Sequence, residues 1–140
     1  MKNGRAQAER YFDEAVEYFL NSREFLRSCP VENDRYQKIK LVQEAFGTAW
    51  LAILKALRGA LVERGVLPKK LPKSFDAYTQ AVQKHLAIRN GKLMQALDSA
   101  YHEIHISGYD GGDLVTTYTV KAAMETAKRI IETVSGRRIV

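Results

Sequence analysis

The sequence contains one cysteine, three prolines and one tryptophan in 140 residues, and each scarcity excludes something. Cys29 has no partner for an internal disulfide, and a lone thiol cannot build a thiolate zinc cluster. Between Ser28 and Pro30 it reads as a loop thiol, since a nucleophile would need a base beside it. Long uncharged apolar runs are also missing. A membrane span needs about 20 such residues, and the richest window, residues 49–61, still contains Lys55 and Arg58. The first ten residues carry no apolar signal core. The expectation is a cytoplasmic chain with no membrane contact.

The charge is +6, unevenly placed. Up to Ser28, five basic residues balance five acidic ones. The connector Leu67-Pro68-Lys69-Lys70-Leu71-Pro72-Lys73 adds three positives and no negatives. That favours polyanions, but the long basic stripe with interleaved aromatics of a dedicated nucleic-acid binder is absent.

What is present is helical periodicity. Ala8, Phe12, Ala15, Phe19, Ser22 and Leu26 recur at spacings of four and three, with Tyr11, Tyr18 and Phe25 as a second line. Two adjacent lines give a broad apolar face that touches two neighbours. Cys29-Pro30 ends this helix. Asn33 or Asp34 is placed to cap a second, carrying Tyr36, Ile39, Val42, Phe46, Trp50, Ile53, Leu57 and Leu61. It would run for about 30 residues, or roughly 45 Å. Gly47 and Gly59 inside it mark a bend or a close helix contact, and Gly65 stops it. Ser74 caps a third helix with Phe75, Tyr78, Val82 and Leu86, and Arg89-Asn90-Gly91 interrupts the pattern. A fourth follows with Leu93, Leu97, Ala100 and Ile104. Residues 107–113 read as a glycine-rich loop, with Asp113 capping a fifth helix that Gly136 ends. A short basic tail follows. No alternating strand pattern or internal repeat is visible. The chain therefore reads as one all-α domain over residues 1–140, an antiparallel up-and-down bundle of four long helices plus one shorter helix.

Two places could carry chemistry. Arg89, Asn90 and Lys92 flank Gly91 at a helix start, where backbone N–H groups and the helix dipole favour an anion. The alternative is a simple break with a surface charge. Further on stands Tyr101-His102-Glu103-Ile104-His105, followed by Tyr109 and Asp110. On an α-helix His102 and His105 lie about 60° apart. A shared metal would need a third ligand such as His85, Glu103 or Asp110, and the His-Glu-x-x-His zinc spacing is absent. The expectation is a half-buried His105, an exposed His102, and neither metal nor cofactor. The turn-like Tyr109-Asp110-Gly111-Gly112 allows close backbone approach to a ligand, a partner or a neighbouring helix.

These residues together resemble the HEPN superfamily of helical bundles, and more narrowly a small uncharacterised bacterial family on that fold. The resemblance rests on Arg89-Asn90, Lys92-Leu93, Tyr101-His102-Glu103-Ile104-His105 and Gly108-Tyr109-Asp110-Gly111. It implies a homodimer. It also implies, for many members, a metal-independent ribonuclease, including toxins paired with a nucleotidyltransferase partner. The family signature is arginine, a polar residue, four variable residues and histidine. Arg89 and Asn90 match, but the histidine position falls on Gln95. Glutamine cannot titrate, so it cannot move the proton of a ribose hydroxyl. His102 stands seven residues beyond Gln95, about 10 Å of helix rise. The resemblance thus implies a non-catalytic dimerisation or interaction module. The alternative is an RNA-processing enzyme using Arg89 and Asn90 with His102 or His105 in place of the missing histidine. Arg89, Asn90, Lys92, Tyr109 and Asp110 are the candidate ligand or nucleic-acid contacts.

Overall fold

The computed structural model describes residues 2–86, 91–112 and 115–140. The protein is an all-α helical bundle. Its elements are α1 (Lys2–Arg27), a two-stranded hairpin of β1 (Val31–Glu32) and β2 (Arg35–Tyr36), α2 (Ile39–Glu63), a short 3-10 turn (Pro68–Lys70), α3 (Phe75–His85), α4 (Gly91–Ala100), a π-helix (Tyr101–Asp110) that continues α4, and α5 (Thr117–Ser135). Counting α4 and the π-helix as one rod leaves four long helices and the shorter α3 among the described residues.

α2 is the central helix and packs on α1, the π-helix and α5. Its 25 residues give a length of about 37 Å, shorter than the periodicity predicts. It is the one helix among the described residues long and apolar enough to cross a membrane, but 67% of that apolar window is buried inside the bundle. That is the position of a core helix. α1 and α2 lie antiparallel: Phe12 meets Gly59, and the Lys55 ammonium sits 2.9 Å from the Glu14 carboxylate. Ala8, Phe12, Ala15, Phe19 and Ser22 are buried, as the spacing predicts. Gly59 is a close contact rather than a bend. A Cβ there would lie 2.5 Å from the Phe12 ring.

The hairpin corrects two expectations. Asn33 and Asp34 do not cap α2. Both have positive φ, 54° and 59°, the turn geometry that joins two-residue strands. Tyr36 consequently belongs to β2, and α2 starts at Ile39 behind Lys38, without a side-chain cap. The hairpin also reaches across the bundle. The Tyr36 N–H donates to Val115 O at 2.8 Å, and the Thr117 N–H donates to Asp34 O at 2.9 Å. Asp113 lies outside the described residues, and the observed cap of α5 is Thr116, whose side chain accepts from the Thr119 N–H. Ser74 caps α3 as expected, accepting from the Ala77 N–H. Gly65 and Gly136 stop α2 and α5 with φ of 94° and 73°. The C-terminal segment is more than a basic tail. Ile139 is buried in the core, and Arg137 holds Glu9 and Asp13 of α1.

Burial raises the Tyr78 hydroxyl above its ordinary value, against the opposing Arg58 guanidinium whose Nε donates to it at 2.8 Å. Burial and the nearby Cys29 thiol raise Tyr36 in the same direction. Above pH 10 the unfolded chain therefore loses these protons before the folded one does. The unfolded state then binds fewer protons, and stability falls as pH rises. Urea melts are expected to show full stability below pH 10 and a decline above it. The decline should be smaller in Tyr78→Phe, and an identical alkaline profile in that variant would contradict the assignment.

Candidate functional site

The region read as a loop from Ser107 onward is helical to Asp110, and from Tyr101 it is a π-helix. The Gly111 N–H closes the last turn on Ile106 O, five residues back. Such wide turns are rare and concentrate at functional sites. Tyr101, His105 and Tyr109, four apart, share the face that packs toward α2. Phe75 stacks on Tyr101 with ring centroids 3.8 Å apart. Trp50 of α2 lies 5.7 Å from Tyr101 and 5.5 Å from His105. His105 in turn stacks on Tyr109 at 5.9 Å.

Two glycines allow this docking. A Cβ on Gly108 would lie 2.5 Å from the buried Phe46 ring, and one on Gly47 would lie 2.8 Å from the Tyr109 ring. The Tyr109 ring therefore packs closely on α2 at Gly47, and the Gln43 amide donates to its carbonyl at 2.9 Å. Beside the stack opens a cleft of about 350 Å³ between α1, α2 and the π-helix. Its walls include Phe25, Glu44, Thr48, Leu51, His105 and Tyr109. Leu51 and Tyr109 are nearly half exposed there. Glu44 makes no hydrogen bond or ion pair among the described residues. The His105 Nδ1 is buried and likewise lacks a hydrogen-bond partner.

The described ones among the predicted site residues fall at separate places. Arg89 and Asn90 lie outside the described residues. Lys92 and Gln95, both exposed, line a separate groove of about 530 Å³ between α4 and α5, with Ser99, Glu103 and Arg129. His102 is exposed, its Nε2 3.7 Å from the Asp98 carboxylate. His105 is half-buried on the α2 side, as expected. Asp110 is exposed at the end of the π-helix. Among the described predicted residues His105 and Tyr109 come together at the cleft, and Tyr109 sits on the π-helix rather than in the expected loop. Among the described residues no three His, Cys, Asp or Glu side chains cluster as metal ligands do. Sequence reasoning missed Glu44, Phe25 and Leu51 as site residues. The available signal was Gly47 within a helix and the four-residue spacing of Tyr101, His105 and Tyr109.

This all-α bundle with an aromatic cleft on its central helix belongs to the DUF5618 family, described as a domain of unknown function. The family's model matches residues 10–136, which include every residue of the cleft. No curated protein matches the chain. Among solved structures, a protein of unknown function from Dyadobacter fermentans is similar, with a TM-score of 0.73 and 26% identity. The match covers 93% of this chain and 97% of that one.

Proposed function

We propose that the chain is a non-catalytic association module on a HEPN-like bundle, working in the cytoplasm as a homodimer. The observation that carries this reading is the apolar rim of the cleft. Leu51 and Tyr109 are 49% and 45% exposed, and both line the cleft with Phe25. The outer faces of α1 and α5 are by contrast dense in charge. Exposed apolar side chains lining a cleft suit an association face, and a two-fold dimer would use the same patch on both copies. Gln95 lines the groove between α4 and α5 while His105 faces α2, and this separation supports the non-catalytic part, because general acid–base work needs the groups within hydrogen-bond reach of one reacting atom.

Sedimentation at micromolar concentration is expected to give a dimer. Leu51→Glu, on a solvent-facing position, is expected to weaken it by about tenfold or more. A wild-type monomer would overturn the reading.

One observation favours a second reading. Arg64, Lys70 and Lys84 surround a groove of about 520 Å³ beside the basic connector, which suits a polyanion such as RNA. RNA cleavage by the purified protein, lost in Arg89→Ala, would replace association with the ribonuclease reading.

A further inference from the structure

We infer that the aromatic cleft binds an organic cation, either a quaternary ammonium or a guanidinium-sized head, between Glu44 and the Trp50–His105–Tyr109 stack. The inference rests on the association reading for its setting, and names the chemistry that the cleft would take from a partner.

The argument begins with Glu44. It is half-buried, lines a mainly apolar cleft and has no cation or hydrogen-bond donor among the described residues. In a protein with a net charge of +6, this half-buried carboxylate beside aromatic rings has no paired cation among the described residues. An apolar guest would strip water from Glu44 and return nothing, which is unfavourable. An anion would meet the carboxylate directly. A hard metal ion needs six or more oxygens, and Glu44 and Thr48 supply too few. A diffuse, weakly hydrated cation has none of these problems. Aromatic faces attract it through their negative π surfaces, and a desolvated cation gains most. Phe25 and the nearly half-exposed Tyr109 line the cleft with aromatic surface, and the buried Trp50 closes its floor. The cleft of about 350 Å³ is within the range of small-ligand sites. Gly47 is part of the device, since a side chain there would push the Tyr109 ring away from α2.

Trp50 is the only tryptophan and lines the cleft, so its fluorescence responds to occupancy there. The full chain would be titrated with tetramethylammonium and with tert-butanol, a neutral molecule of similar shape, at constant ionic strength. A saturable response is expected for the cation, with binding about tenfold weaker for the alcohol. Glu44→Gln should reduce that preference at least about fivefold, and Tyr109→Ala should weaken the cation further. Equal responses to the two probes, or an undiminished preference in Glu44→Gln, would overturn the inference. A peptide bearing trimethyllysine distinguishes the sources. Tighter binding than the free ion assigns the cation to a protein chain, and equal binding assigns it to a small solute. Sedimentation of the same samples keeps the two readings apart. A monomer that retains the cation preference sinks self-association and leaves the cation site standing.

Discussion

Phe46→Ala is expected to lower stability by roughly 3–5 kcal/mol, shifting the thermal midpoint down by roughly 10 °C or more. Phe46 is fully buried at the centre of the bundle. Its ring occupies the space that Gly108 leaves empty, so truncation would open a cavity between α2 and the π-helix. The reciprocal change should also destabilise. A Cβ at 108 would stand 2.5 Å from Phe46 Cδ2, and overpacking of that kind costs about 1–3 kcal/mol. The better helix propensity of alanine offsets up to about 1 kcal/mol of it. Combining Gly108→Ala with Phe46→Leu should be less harmful than the two single changes added together, because the smaller side chain makes room for the new methyl. Urea melts of the four proteins measure the coupling. Strict additivity would mean that the ring and the glycine do not constrain each other.

Trp50→Ala is expected to cost about 3–5 kcal/mol. Trp50 is 7% exposed and touches Phe75 of α3 as well as Tyr101 and His105 of the π-helix. Aromatic pairs add about 0.5–1.5 kcal/mol each beyond their buried area, so one truncation removes three such contacts. α3 makes far less contact with α2 than α1 or α5 does. Loss of the indole should therefore loosen α3 first, seen as faster amide exchange in residues 75–85 before global unfolding. Trp50→Phe should recover most of the stability. Equal exchange in α3 and α5 in the alanine variant would contradict this division.

The long amphipathic helices were legible because burial in them follows one period. The α1 line from Ala8 to Ser22 is buried as its spacing demands, and Ser74 and Gly136 mark ends by chemistry that has few other uses. The hairpin was not legible because Asn-Asp serves helix caps and positive-φ turns alike. Two residues per strand are also too few to display alternation. The π-helix was hidden for a different reason. Gly108, Gly111 and Gly112 suggest a loop by composition, yet Gly108 is there to admit Phe46. An α-helical wheel also misplaces side chains once the turns widen. The cleft draws on α1, α2 and the π-helix, and no spacing along one segment could join Phe25, Glu44 and His105.

The hairpin between α1 and α2 has a further consequence, for the order in which the bundle assembles. Residues 34–36 bond to residues 115–117, so this latch closes only after a long stretch of chain has been brought back. Chain-closure entropy delays such contacts relative to the local pairing of α1 with α2. Interactions formed after the folding barrier act on the rate of escape from the native state and leave the rate of entry nearly unchanged. The hairpin is therefore expected to act as a kinetic lock on α5, adding to the bundle's lifetime from residues outside its helices.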